Sequence, residues 1–352
     1  MSKMKIAVIG SGMIAQTAHI PSYLKNDKVE IKYIVDPLLE RAQKVAADFN
    51  IPNAVADYNV VLADEEVKAV SICTPNDLHA PLSIAFLNAG KHVLCEKPAA
   101  LNLEQAKEMK AAAERNNCML NIGVVNRFNT SINLIKNMID AGELGNVYHV
   151  YCSFRSHRSI PGLGGPFTTK AKAGGGVLVD WGVHFLDIIF YCLGDVKVQS
   201  VNGAIYSEMA KNMEDYAYQN MWAGPPVYDG VNDVEDFVTG LLRTEGPTIS
   251  LNGAWAQNIG ESAMFIELLG DKAGIKLEYG GNFKVYSSKG KVLLETTPAY
   301  EKADGFYEEM KDFIESASTG VKSRNHIDNA IQITEVMDAI YKSSELKSEI
   351  KL

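Results

Sequence analysis

Asp180 and His184 stand four residues apart, directly behind the glycine run 174–176. If that run opens a helix, the two side chains share one face, which Asp187 and Tyr191 continue. A histidine beside a carboxylate is oriented by it and titrates near neutral pH, as a general base must. The plainer structural reading is a capped helix around a satisfied buried histidine. Lys97 sits between Glu96 and Pro98, just beyond an apolar run at 92–94. An ammonium at the tip of a core strand can hydrogen-bond a reacting oxygen and stabilise alkoxide character. The plainer alternative is a local Glu96–Lys97 ion pair.

A second constellation can hold a nucleotide. The apolar run 6–9 leads into Gly10-Ser11-Gly12-Met13-Ile14-Ala15, a GxGxxA pattern. Gly10 permits the tight turn, Gly12 lets a pyrophosphate approach the backbone, and Ala15 keeps helix and strand close. The free N–H groups of the following helix add positive potential for phosphates. Asp36 ends the next apolar run, where an acid accepts hydrogen bonds from a ribose diol and repels a 2′-phosphate. NAD is therefore expected in preference to NADP. Thr74-Pro75-Asn76, with His79 beyond, and Cys95-Glu96-Lys97-Pro98 follow two further strand-like runs. In open parallel sheets ligands bind outside such carboxyl ends.

The elements that must position these groups fall into two patterns. Up to residue 122, apolar runs at 6–9, 31–35, 69–72, 92–94 and 119–122 alternate with helical stretches at 40–50, 80–89 and 103–117. That alternation predicts a doubly wound parallel sheet, an N-terminal Rossmann domain over 1–123. From 124 to 352 the pattern predicts an α+β domain with a large, open, mainly antiparallel sheet. Its strand-like runs lie at 147–155, 234–243, 248–256, 264–269, 274–279 and 283–287. Two closing helices carry the stripes Phe306, Met310, Phe313, Ile314, Ala317 and Ile333, Val336, Met337, Ile340. The segment 206–233 reads as a long loop. Its Trp222 and Tyr228 either stack on a substrate or contact another subunit.

With 352 residues, 47% of them hydrophobic, the chain can bury two cores. A net charge of −9 without a basic run argues against nucleic acid. Neither a signal-like segment nor an uninterrupted stretch of 18 apolar residues is present, which predicts a cytoplasmic protein without membrane attachment. The five cysteines form no CxxC pair and the seven histidines make no cluster with them, so neither disulfides nor a metal site is expected.

Taken in order, the 10–15 loop, Thr74-Pro75-Asn76 with His79, Glu96-Lys97-Pro98, Asn126-Arg127-Phe128 and the run from Gly174 through Asp180 to His184 resemble the glucose–fructose oxidoreductase and inositol dehydrogenase (Gfo/Idh/MocA) family. The resemblance spans essentially the whole chain. It implies a nicotinamide enzyme transferring hydride at a hydroxyl carbon of a sugar, glycoside or cyclic polyol. Lys97, Asp180 and His184 match the family's catalytic lysine, acid and histidine; Glu96 and Pro98 match residues lining the cofactor pocket. Asn126 is expected at the cofactor too, and Arg127, Arg155, His157 and Lys170 at the substrate. The family's frequent proline after the Arg-Phe pair is replaced by Asn129-Thr130, and the stretch 155–170 lacks a tryptophan found in many members. On this reading Lys97 and His184 converge over one nicotinamide ring, either of them carrying the proton. The resemblance also implies a homodimer or homotetramer. A glycosidase or lyase that oxidises its substrate transiently, and a non-catalytic dinucleotide-binding regulator, are the alternatives it allows.

Overall fold

The computed structural model describes residues 3–194, 196–219 and 221–352. Its contacts divide the chain into two units, Met1–Phe128 with Ala303–Ile331, and Asn129–Lys302 with Gln332–Leu352.

In the first unit, short runs rich in Val and Ile form β1 (Met4–Ile9), β2 (Val29–Val35), β3 (Asn53–Val55), β4 (Val67–Ile72), β5 (His92–Glu96) and β6 (Leu120–Gly123). All pair in parallel in the order β3-β2-β1-β4-β5-β6. This is the doubly wound order whose direction switches between β1 and β4. Helices Leu39–Phe49, His79–Asn88 and Leu103–Arg115 connect the strands, and apolar side chains on both faces fill two core clusters. The expected parallel sheet is present, with β3 added to the five strands anticipated.

The division differs from the boundary expected at 123/124. The helix Gly305–Thr319, assigned from sequence to the second domain, buries Met310, Phe313 and Ile314 against Ile6, Val8, Ile20 and Tyr23 of the first unit. Its apolar stripe is correct; periodicity shows that a helix has a core face but not which core it covers.

The second unit holds β7 (Val147–Arg155), β8 (Val198–Tyr206), β9 (Phe237–Thr244), β10 (Thr248–Ala254), β11 (Ala263–Gly270), β12 (Ala273–Glu278), β13 (Phe283–Lys289), β14 (Val292–Thr296) and β15 (Ile350–Lys351). They form a nine-stranded sheet, antiparallel except for the β7–β10 pair. β8, β14 and β15 extend the predicted set. One sheet face packs into a core with the helices Thr130–Asp140 and Val183–Leu193 and the C-terminal part of Ile327–Leu346. The helical stretch Lys170–Leu193 is long and apolar enough to cross a membrane, yet 72% of its apolar window is buried in the protein. Residues 207–236 carry no helix or strand among those described.

Candidate active site

The first unit's groups gather at the carboxyl ends of β1, β4 and β5. Gly10 donates its N–H to Val35 O (2.8 Å), and Cys73 donates to Ile9 O (2.7 Å), locking the two sides of the switch point together. Gly10 adopts φ +94°, and a Cβ there would lie 2.4 Å from Cys73 O, so only glycine fits. At Gly12 a Cβ would meet nothing within 4 Å. That open face is where a phosphate could approach backbone. The helix beyond passes through a π turn, Ala15–His19, with Ala15 fully buried and Ile14 half-buried, while Met13 stays exposed.

Asp36 is only 1% exposed. Its Oδ2 accepts from Ser11 N (3.1 Å), Ser11 Oγ (2.7 Å) and Arg41 Nε (3.0 Å) and NH2 (2.6 Å), and Oδ1 accepts from Leu38 N (3.0 Å). Burial works to raise its pKa, but the Ser11 and Arg41 hydrogen bonds outweigh it and hold the carboxyl below its ordinary value. A charged acceptor thus stands directly behind the glycine turn.

Thr74 Oγ1 is buried without a hydrogen-bond partner among the described residues. His79 is buried as well, with Nδ1 2.7 Å from Pro98 O and Nε2 2.9 Å from Thr74 O. It ties the loop after β4, which continues through Pro75 into the 3₁₀ turn Asn76–Leu78, to the turn after β5. Burial pushes its pKa down, and the two carbonyls oppose that. Glu96 closes β5. Its Oε1 lies 2.7 Å from His19 Nε2, and its Oε2 accepts from Lys97 N (3.1 Å). His19 Nδ1 in turn lies 2.7 Å from Ser71 Oγ, which is 3.1 Å from the Tyr23 hydroxyl. A neutral ring satisfies this chain if Tyr23 donates to Ser71, Ser71 to Nδ1, and Nε2–H to the carboxylate. Burial works to raise Glu96, yet the His19 hydrogen bond keeps it below its usual value. The peptide bond Lys97–Pro98 is cis.

In the second unit the glycine run leads into a π turn, Leu178–Gly182, continued by the α-helix Val183–Leu193. Asp180 lies in the π turn and His184 in the first α turn. Asp180 Oδ2 accepts from Trp255 Nε1 (3.2 Å). The His184 ring lies 6.5 Å from Tyr279, which stacks on Phe185. Asp187 is buried, and Tyr191 donates to Asn133 Oδ1 (2.8 Å), which ties this helix to Thr130–Asp140. Arg155 Nε donates to Ser153 Oγ (3.1 Å), and His157 Nδ1 lies 3.0 Å from Gln257 O. Lys170 donates its backbone N–H to Asp233 Oδ1 (2.6 Å). Asn126 belongs to the first unit, in the 3₁₀ turn Val125–Phe128. Arg127, expected at the substrate, is 2% exposed and donates to Arg324 O (2.6 Å), a tie within the first unit.

Comparisons with known proteins decide the family. Residues 4–124 match the model of the GFO/IDH/MocA oxidoreductase family, NAD-binding Rossmann fold, and residues 132–276 match the GFO/IDH/MocA C-terminal domain. The chain belongs to the Gfo/Idh/MocA oxidoreductase family. This family member is 32% identical to the D-glucoside 3-dehydrogenase of Escherichia coli over 78% of its length and 77% of the relative's. It is 30% identical to an inositol 2-dehydrogenase of Mycolicibacterium gilvum over 55% of its length and 54% of the relative's. Its fold resembles levoglucosan dehydrogenase in complex with NADH and levoglucosan (TM-score 0.86, 22% identity, 99% of each chain covered).

As a Gfo/Idh/MocA protein the chain is an NAD-binding oxidoreductase, and its own residues fit that cofactor. Gly12 leaves room, Thr74 has an unsatisfied hydroxyl, and Asp36 offers a charged acceptor. Among the described residues no cluster of His, Cys, Asp or Glu could hold a metal ion. Sequence reasoning missed Ser11, Arg41, His19, Ser71 and Trp255. Each works through a partner 5 to 77 positions away. Local pattern does not report such pairings.

Proposed function

We propose that this oxidoreductase transfers hydride between NAD and a hydroxyl carbon of a sugar, glycoside or cyclic polyol. The observation that carries the reading is its likeness to D-glucoside 3-dehydrogenase over more than three quarters of both chains; the sequence motifs of Lys97, Asp180 and His184, which resemble those of the family's reacting groups, support it. Bound NAD supplies the hydride acceptor. In oxidation, His184 takes the substrate hydroxyl proton, Lys97 hydrogen-bonds the same oxygen as it gains alkoxide character, and Asp180 holds a neighbouring hydroxyl. The cofactor is held by Gly10, Gly12, Met13, Ile14, Ala15 and Asp36, with Thr74, Pro75, Asn76, Glu96, Pro98 and Asn126; His79 braces their loops. Arg155, His157 and Lys170 contribute substrate contacts.

Five free, buried cysteines suit a reducing cytoplasm. Exposed Tyr151 and Tyr286 on the sheet face away from the core favour a homodimer or homotetramer.

The test is a panel of inositols, aldoses and glycosides with NAD and NADP, read by NADH absorbance, with Lys97→Ala as control. NAD-linked turnover is expected with at least one of them. Lys97→Ala should lose about 100-fold or more in kcat. Bond cleavage without net NADH, or NAD binding with no turnover on any compound, would overturn the reading.

A further inference from the structure

The helix that carries Asp180 and His184 begins without a local cap. Its N-cap residue is Val177, whose side chain makes no capping hydrogen bond. A helix start leaves several backbone N–H groups needing acceptors. Here the acceptor comes from far along the chain. Glu235 Oε2 accepts from Gly176 N (2.8 Å) and Oε1 from Leu178 N (3.0 Å). The Tyr341 hydroxyl donates to the same Oε1 (2.9 Å), and Val177 N donates to Glu235 O (3.2 Å). Three successive residues at the helix start are therefore held by one side chain and its own carbonyl.

The next turn is fixed by the adjoining residue. Asp180 N donates to Gly176 O (3.0 Å), so Asp180 hangs from the clamped segment. Trp255 N donates to Asp236 O (2.9 Å), and the Trp255 indole donates to Asp180 Oδ2. The dipeptide Glu235-Asp236 thus grips the Asp180 backbone through Gly176 and the Asp180 carboxylate through Trp255.

The glycines explain themselves in the same terms. A Cβ on Gly176 would lie 1.9 Å from Glu235 O, and one on Gly175 would lie 2.0 Å from the Tyr341 hydroxyl. The run is bare because the clamp presses against it. Glu235 and Trp255 are both buried. A serine or asparagine at the cap position would satisfy such N–H groups without burying a charge. A buried carboxylate delivered from another element also sets orientation.

We propose that Glu235 is a positioning residue for the reaction: with Tyr341 and Trp255 it sets the direction in which Asp180 and His184 face the substrate. The inference rests on the reading that Asp180 and His184 act on substrate.

The test compares Glu235→Gln, Glu235→Asp and Trp255→Phe with wild type for thermal stability, NAD Kd, kcat, KM and the pH profile of kcat/KM. The glutamine keeps shape but turns an amide N–H toward a backbone N–H. Folded Glu235→Gln should bind NAD with wild-type Kd, since the cofactor loops belong to the first unit. Its kcat should fall by about 10-fold or more, the scale of a small misplacement of reacting groups. The limb of the pH profile that reports His184 should move. Glu235→Asp should restore part of kcat, and Trp255→Phe should shift the same limb. If Glu235→Gln keeps kcat within about twofold and an unchanged pH profile while only its melting temperature falls, Glu235 is merely structural. Should Glu235→Gln not fold, Trp255→Phe and Tyr341→Phe decide: an unchanged profile in both overturns the proposal. Failure of the functional reading is distinct, because wild type itself would then turn over nothing, or Asp180→Ala and His184→Ala would stay active.

Discussion

One added methyl group should have opposite consequences at two glycines only two residues apart. At Gly10 the backbone is left-handed and Cys73 O fills the space a Cβ would need. Gly10→Ala should destabilise the protein by about 3 kcal/mol or more, from strain and overlap combined, visible as a lower melting temperature. At Gly12 the space is open, so Gly12→Ala should change stability by no more than about 1 kcal/mol. Its NAD affinity should nevertheless drop, because the methyl stands where phosphate must approach. Unaltered NAD binding in Gly12→Ala would show that the phosphates lie elsewhere. Asp36 invites a second comparison at this scale. It holds Arg41 through two N–H contacts to Oδ2. Asp36→Ser should release that guanidinium toward a 2′-phosphate and remove the charge that repels one. The ratio of NADP to NAD efficiency in kcat/KM should rise by about 10-fold or more, roughly 1.4 kcal/mol. A ratio that stays put would place the ribose away from Asp36.

Among elements, legibility followed burial. β1, β4 and β5 were plain in the sequence because nearly every residue is apolar and buried on both sides. β3 is three half-buried residues, too short to show an alternation, and β14 offers only the short apolar run Val292-Leu293-Leu294, all of it exposed. The Gly10–Ala15 turn, Lys97 just past a core strand and Asp180 and His184 at a helix start were legible as local features of the chain. The clamp on Gly176 and the His19–Glu96 pair were not, since their partners come from distant elements. Asp236, at the entry to β9, is a third such case. Its Oδ2 accepts from Met209 N (2.6 Å) while Oδ1 is buried without a partner among the described residues. Burial pushes its pKa up to about 6. Between about pH 4 and 6 the folded chain therefore holds a proton that the unfolded chain releases. The stability contributed by this group is intact at the acid end, falls as pH rises through that window, and stays low above it. Denaturation of wild type and Asp236→Asn from about pH 4 to 7 should show wild type losing ground relative to the variant by at most about 3 kcal/mol. A difference independent of pH would mean that Asp236 titrates normally.

At the scale of the whole molecule, the chain leaves its first unit at Phe128 and comes back for 303–331. What comes back is structural. Asp304 caps the helix Gly305–Thr319 by accepting from Tyr307 N (3.2 Å) and pairs with Lys25. Met310, Phe313 and Ile314 then fill the core beneath β1. Asn325 covers the edge of β6, accepting from Ile122 N (2.9 Å) and donating through Nδ2 to Ile122 O (2.8 Å). Removing three large buried side chains at about 2–5 kcal/mol each exceeds what a domain with total stability of about 5–15 kcal/mol can readily lose, and a bare β6 edge invites association. A fragment of residues 1–128 should therefore show no cooperative melt, bind no NAD and aggregate on concentration. The same fragment joined by a flexible linker to residues 303–331 should melt cooperatively and bind NAD, measured by circular dichroism and by fluorescence titration. If residues 1–128 alone melt sharply and bind NAD, the returning segment is dispensable, and the nucleotide-binding unit ends where the sequence motifs end.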